Sequence, residues 1–296
     1  MLEHLNSTPR KPARVVVLGA GGFIAGAIVR SLSSQGIPVL PLGRLELDLL
    51  KSGADKQLAK ALEPDDTLVF ASAKAPCKNL EMLRENALMA EAVCAALKEN
   101  RVAHLVYISS DAVYKDSPQA LNENSCAEPA SYHGAMHLVR EVALRQEFAG
   151  PLAIVRPTLV YGLEDSHNGY GPNRFRRLAA SGKEIVLFGE GEERRDHVDV
   201  EDLAALVCLI ATYKSKGIVN AVSGEVVSFR QLAEFAASEF TPRVAVKGSP
   251  RKGPMPHNGY RPFDNRAALA AFPGFRFKSW REGLSLIHRL TRSGAM

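Results

Sequence analysis

The residues with the plainest chemical use come early in the chain. Gly19-Ala20-Gly21-Gly22-Phe23-Ile24-Ala25-Gly26 stands between a β-branched run, residues 14–18, and a stretch with helical spacing, residues 23–32. A tight turn between a strand and a helix lets backbone amides approach a pyrophosphate, which then sits at the positive end of the helix. The strand-then-helix context carries more weight than the glycines themselves. After the second strand of such a site, an acid accepts from the ribose of NAD, whereas an Arg accommodates the added phosphate of NADP. That place holds Arg44, with Glu46 and Asp48 beyond it. Gly19, Gly22, Phe23, Ile24, Arg44 and Asp48 are therefore expected to hold NAD(P), with Arg44 favouring NADP. Metal chemistry is not indicated. The histidines form no HExxH set, and Cys77, Cys94, Cys126 and Cys208 form no CxxC pair or disulfide frame, as befits reduced structural thiols in the cytoplasm.

Elements able to position this turn follow in a regular order. Apolar runs fit for strands fall at residues 14–18, 37–42, 66–71, 102–108 and 152–155. Helical patterns intervene, notably at 82–97 and 131–148. Strands alternating with helices predict a parallel sheet covered on both faces, an α/β fold of the doubly wound Rossmann type. Beyond Pro157 the rhythm loosens. Gly, Pro and Asn gather at 162–173 and 248–259, where long loops are expected. The expected layout is a polar, loose tail over 1–12 and a dinucleotide-binding domain over 13–165, with 195–215 returning to it. Residues 166–194 and 216–290 would form a smaller, interleaved substrate lobe.

Composition agrees with a globular α/β protein. The 296 residues are 46% hydrophobic and 23% charged, ample apolar surface to exclude disorder throughout. The net charge of +5 is spread among acidic residues with no dense basic block, which argues against nucleic acid and suits a small anionic ligand. No apolar run approaches the ~20 residues of a membrane span. The polar N-terminus lacks the apolar core of a signal peptide.

With these elements in place, the chain resembles the extended short-chain dehydrogenases, the NAD-dependent epimerase/dehydratase family acting on nucleotide sugars. Gly19, Gly22 and Ala25 match its GxxGxxA turn. Tyr107-Ile-Ser-Ser-Asp-Ala-Val-Tyr114 is similar to its active-site strand and loop. Glu123, Pro129 and Tyr132 resemble the run into its catalytic helix, and 153–162 the strand and loop after it. The stretch 187–202 is the longest match, and 219–224 with 261–264 complete a likeness over about residues 13–285.

The resemblance implies roles for named residues. Ser110 corresponds to the family's Ser/Thr at the sugar oxygen and Tyr132 to its acid/base tyrosine. Asn173, Arg195 and Arg261 fall where the nucleotide's diphosphate is bound, and Lys74 where a loop passes the cofactor. It also implies a homodimer paired through helices 82–97 and 131–148. A phenol and a hydroxyl near one oxygen make a proton path, and arginine forks suit phosphates.

One departure stands out. The family's Tyr-x-x-x-Lys reads Tyr132-His-Gly-Ala-Met136 here, so Met136 takes the lysine's place beside the cofactor. A phenol without a cation keeps a pKa of about 10 and is about one part in a thousand ionised at pH 7. Such a phenol serves reduction of a keto sugar better than oxidation of an alcohol, unless Lys74 supplies the charge. The expected activity is hydride transfer at the sugar 4-position, by 4-keto reduction or 4-epimerisation. Dehydration is disfavoured because Asp111 is followed by Ala112 rather than Glu. The alternative is a non-catalytic binder of dinucleotide or nucleotide sugar, disabled by Met136.

Overall fold

The computed structural model describes residues 2–292. In chain order they form β1 (Glu3–His4), β2 (Val15–Leu18), α1 (Phe23–Ser34), β3 (Val39–Leu42), α2 (Ala54–Ala61) and β4 (Thr67–Phe70). Next come α3 (Leu80–Glu99), β5 (His104–Ile108), α4 (Tyr132–Glu147), β6 (Leu152–Pro157), β7 (Leu159–Tyr161) and α5 (Pro172–Ala180). The chain continues through β8 (Ile185–Phe188), β9 (Arg194–Asp199), α6 (Val200–Thr212), β10 (Ser215–Ala221), β11 (Val226–Ser228) and α7 (Phe229–Ser238). It ends with β12 (Val246–Ser249), β13 (Tyr260–Arg261), α8 (Arg266–Ala271) and α9 (Trp280–Arg292).

The main sheet has the order β1-β10-β6-β5-β4-β2-β3, parallel except for β1. Its central strands β2, β4 and β5 are buried along their whole length, which the unbroken apolar runs require. One face is covered by α1 and α6, whose Ile28, Leu32, Leu203 and Val207 pack on Val15, Val17 and Val106. The other is covered by α2, α3 and α4, with Leu58, Val93 and Leu144 packed on Leu68, Phe70 and Tyr107. The chain passes from β2 outward to β3 and then crosses back to β4. A crevice therefore opens at the carboxyl ends of β2 and β4, the topological switch point where such sheets bind ligands.

A smaller lobe is built from β7, β9, β11 and β13, the parallel pair β8–β12, and helices α5, α7 and α9. Its own core gathers Phe175, Phe229, Leu232, Trp280 and Leu284.

Two expectations about organisation need correction. The N-terminal tail is not loose: β1 pairs antiparallel with β10, and the Asn6 and Arg10 amides donate to Tyr213 O and Thr212 O at 3.1 and 2.9 Å. His4 seals this edge, its ring 4.7 Å from Tyr213 and 4.9 Å from Phe272. A two-residue strand held through backbone groups leaves no periodicity to read. Second, residues 216–221 belong to the main sheet as β10 beside β6, whereas β9 lies in the small sheet. Lys216 and Asn220 interrupt the apolar run in β10, which disguised it as part of the lobe.

Candidate active site

The glycine turn forms the floor of a groove. Gly19 has φ +88°, and a Cβ there would lie 2.8 Å from Ser72 Cα, so only glycine fits between β2 and the loop after β4. α1 starts at Gly22 with no side-chain cap and no acid in its first turn, which leaves its amides and positive end for an anion. On one side of the turn a cleft of about 410 Å³ is lined by Gly19, Gly22, Arg44, Asp48, Ser72 and Met89. Arg44 is exposed at this cleft, and Asp48 Oδ1 accepts from Leu50 N at 3.1 Å. On the other side a cleft of about 370 Å³ is lined by Gly22, Phe23, Ile24, His133, Asn173 and His197 among others. All six expected cofactor residues of the turn and β3 loop thus line one or other of these two clefts. An extended dinucleotide fits this donor set, with pyrophosphate over the α1 N-terminus.

A third cavity of about 810 Å³ adjoins the second cleft. Ser110, Asp111, Ser131, His133, His137, Arg195, His257 and Arg261 line it. Ser110 follows β5 and caps the one-turn helix Asp111–Val113; its Oγ accepts from Ala112 N at 3.1 Å and donates to Asp111 Oδ1 at 3.3 Å. Arg261 is fully buried and committed to protein partners. It donates from Nε to Asp111 Oδ2 at 3.2 Å and from Nη2 to Asp111 O at 2.8 Å, and pairs through Nη1 with Asp116. It holds the Ser110 turn in place. Arg195 is less engaged: Nη1 reaches Glu193 at 3.3 Å, and its buried Nε has no partner among the described residues. An unpaired buried donor lining a cavity suits an anionic group of a ligand. Asn173 lines the second cleft rather than this cavity; its amide donates to Asp165 at 2.8 Å and accepts from Gly162 N at 3.1 Å, which pins the loop 162–173.

Helix α4 brings a different residue to the cavity than the one expected. Ser131 caps it by accepting from Gly134 N at 3.2 Å. A Cβ at Gly134 would lie 2.0 Å from Ala112 O, so the helix presses its first turn directly against the Ser110 turn. Successive helical residues are rotated by about 100°. In this setting Tyr132 is 48% exposed, shares its outward face with Val139 and Val142, and does not line the cavity. His133 points into it instead. Tyr132 is thus not brought together with Ser110.

Met136 is buried, but against Arg140 rather than along either cleft; its Sδ lies 3.9 Å from Arg140 Nη1. Arg140 lies 4.1 Å above the Phe70 ring and donates to Ser72 O at 2.8 Å. It is the buried cation beneath the cofactor loop. Lys74 does not serve that purpose: its Nζ is paired with Glu85 on α3 at 2.5 Å, and it lines none of the three spaces. A carboxylate one helix away captures a flexible ammonium, which the sequence spacing did not reveal.

His133 and His137, four residues apart, line the cavity and were assigned no role from the sequence. The two rings meet edge to face at 4.8 Å. Behind them His137 Nδ1 lies 2.7 Å from the Tyr107 phenol oxygen. Burial holds both histidines below the ordinary imidazole pKa, for His133 against the opposing charge of Asp111. Burial likewise raises the Tyr107 phenol well above its ordinary range. The available signal was their spacing, the same as Tyr-x-x-x-Lys and displaced by one residue.

Comparison with known proteins agrees with this fold. Residues 15–222 match the model of the NAD dependent epimerase/dehydratase family. A rice protein named Probable GDP-L-fucose synthase 1 (Oryza sativa subsp. japonica) is 30% identical over 257 residues, 78% of each chain. The dTDP-4-dehydro-6-deoxy-D-allose reductase of Streptomyces bikiniensis is 27% identical over 282 residues, 80% of this chain and 82% of its own. Among solved structures, UDP-glucose 4-epimerase of Thermus thermophilus in complex with NAD superposes with a TM-score of 0.84. It is 23% identical and covers 96% of this chain and 100% of its own.

Proposed function

Because the chain belongs to the NAD-dependent epimerase/dehydratase family of nucleotide-sugar enzymes, we propose that it transfers a hydride at the 4-position of a nucleotide sugar, with reduction of a 4-keto sugar as its working direction and NADP(H) as its cofactor. The observation that carries this reading is the continuity of the three spaces. The clefts flanking the glycine turn lead, through shared walls, into the cavity that holds Ser110, Arg195 and Arg261.

A bound nicotinamide dinucleotide supplies or accepts the hydride. The chain's own residues do the rest. Gly19, Gly22 and the α1 N-terminus receive the pyrophosphate, and Phe23 and Ile24 wall the cleft beyond it. Arg44 and Asp48 stand at the opposite end, where Arg44 offers an unpaired guanidinium to a ribose phosphate. Arg195 supplies donors to the substrate's diphosphate, with Asn173 and Arg261 fixing the loops around it. Ser110 lines the cavity where its hydroxyl, once turned from Asp111, would meet the sugar oxygen.

Direction follows from charge. Lysine is absent from the walls of the clefts and the cavity, and Lys74 is neutralised by Glu85. The lysine that would depress a phenol pKa is replaced by Met136, and the arginines at the cavity are engaged by Asp111, Asp116 and Glu193, whereas donation of a proton needs no such cation. Reduction is therefore favoured over steps that begin by oxidising an alcohol.

The test is turnover of GDP- and dTDP-linked 4-keto sugars with NADPH, followed by loss of reduced-nicotinamide absorbance. Consumption with at least one substrate supports the reading. Tight NADPH binding without consumption across the panel supports the non-catalytic binder instead. Replacement Arg44→Ala should lower kcat/KM for NADPH by about tenfold or more, the scale of one charge-assisted contact, while leaving NADH within twofold. Equal losses with both cofactors would remove Arg44 as the selecting residue.

A further inference from the structure

We infer that His133, in place of Tyr132, is the group that hydrogen-bonds the sugar carbonyl oxygen and gives it a proton; this rests on the oxidoreductase reading above. Seven residues line both the second cleft and the 810 Å³ cavity: Ile24, Ala71, Ala73, Ala75, Leu159, Val160 and His133. Six are apolar. His133 alone can exchange a proton at the junction, where the cofactor's end of the cleft meets the substrate's cavity.

Its tautomer is set by the backbone. Cys77 N lies 3.4 Å from His133 Nδ1, and a backbone N–H can only donate, so Nδ1 accepts and is unprotonated. The proton of the neutral ring is then on Nε2, which has no partner within the described residues and is left for a ligand. The perpendicular His137 ring, anchored on Tyr107, backs the imidazole and limits its rotation. Ser110 cannot replace it as donor without breaking its own bond to Asp111.

The arrangement has a direction. With Nδ1 occupied, Nε2–H is a donor and not a base, much as a neutral imidazole can polarise a carbonyl. As a hydride forms the new C–H bond, the carbonyl π pair becomes a lone pair on oxygen. That oxygen takes the Nε2 proton as its charge develops, and the imidazolate left behind is reprotonated by solvent water, which releases hydroxide to bulk. Protonation of Nδ1 would set two donors face to face with Cys77 N–H and turn the ring away. The groups facing His133 are Asp111 from the Ser110 turn, the Cys77 backbone amide, His137 on its own helix, and Asp165 and His167, which line the same cleft.

His133→Phe should lower kcat by about 10²-fold or more, the scale of lost proton transfer. The KM for the nucleotide sugar and the calorimetric Kd for NADPH should stay within threefold. His133→Gln, which keeps an N–H donor, should recover part of the loss, and Tyr132→Phe should stay within twofold of the parent. Wild-type kcat should fall on the acid side, below pH 6.5, with no alkaline limb near the phenol range; His133→Tyr should introduce one. Nitrogen-15 NMR of the labelled protein should find Nδ1 of His133 unprotonated and Nε2 protonated. A His133→Phe enzyme retaining kcat within threefold, a Tyr132→Phe enzyme losing more than tenfold, or a protonated Nδ1 in the neutral ring overturns the inference while the reading above stands. A wild-type protein that turns over no 4-keto nucleotide sugar overturns the reading, and the inference with it.

Discussion

Replacing Gly134 with alanine tests how the site is assembled, because the usual effect of that change has the opposite sign. An alanine within a helix is ordinarily worth up to about 1 kcal/mol over glycine. At Gly134 the new Cβ would sit 2.0 Å from Ala112 O and 2.7 Å from Pro129 Cβ, a shortfall of about 1.4 Å against ordinary contact at 3.4 Å. Both neighbours are held, one by the turn that Ser110 caps and the other by the entry to α4. Overpacking of this kind costs about 1–3 kcal/mol, so a net loss of up to about 2 kcal/mol is expected. At about 2.1 cal/mol/K per residue, a loss of about 2 kcal/mol corresponds to a fall in Tm of about 3 °C. The contact also joins Ser110 on one side to His133 on the other. Separating them by about 1 Å should lower kcat on the order of 10²-fold. The matched control is Gly26→Ala in α1, where the Cβ would meet nothing closer than 3.7 Å and Tm should be unchanged or raised. Differential scanning calorimetry and initial-rate kinetics on both variants provide the readouts. A Gly134→Ala protein as stable as the parent, with kcat within twofold, would refute the argument that this glycine sets the distance between the two groups.

Two further predictions concern stability. Glu141 is fully buried and binds Arg156 through a two-point fork at 2.8 and 2.6 Å, with Ser109 Oγ donating to it at 2.6 Å. Glu141→Ala would strand the buried Arg156 and should cost about 3–5 kcal/mol, measured as a lower urea midpoint; a loss under 1 kcal/mol would contradict that pairing. Buried His104, His197 and His288 have pKa values lowered by burial to about 4, 3 and 4, against about 6.5 in the unfolded chain. Below pH 6.5 the unfolded chain takes up protons that the folded chain refuses, so stability should fall between pH 6.5 and 4, by about 1.4 kcal/mol per pH unit for each histidine, and level off below. Asp196, raised by burial to about 7, and Asp199, also raised by burial, oppose the trend because they hold their protons in the folded state, but they are fewer than the buried imidazoles. Urea midpoints that are flat from pH 7 to pH 5 would show that these imidazoles are not held neutral.

Much of the fold was legible because its signals are local. The unbroken apolar strands 15–18 and 67–70, the glycine turn between β2 and α1, and the loosened rhythm beyond Pro157 each follow from short-range sterics and burial. Hence the doubly wound sheet and the strand–turn–helix at Gly19 and Gly22, whose clefts Phe23, Ile24, Arg44 and Asp48 line, could be read directly. The N-terminal strand and β10 could not, since their pairing is made by backbone groups across more than 200 residues of sequence.

The chemistry of the site depended on quantities that spacing does not contain. Sequence put a phenol and an imidazole side by side at Tyr132 and His133; which one faces the cavity is a rotation of about 100° about the α4 axis, fixed by Gly134 seated on Ala112. Sequence offered Lys74 as the replacement cation, yet Glu85, reaching across from α3, holds it, and Arg140 is the charge buried beneath the loop. Arg261 and Arg195 looked equivalent as phosphate ligands until Asp111 and Asp116 were seen to occupy the first, while the second, 3.3 Å from Glu193 and 3.9 Å from Asp111, keeps only its Nε without a partner among the described residues. Local pattern determined the sheet and the glycine turn at its switch point. Side-chain roles in the cavity were decided by tertiary packing, because direction and partner are properties of contacts between distant segments.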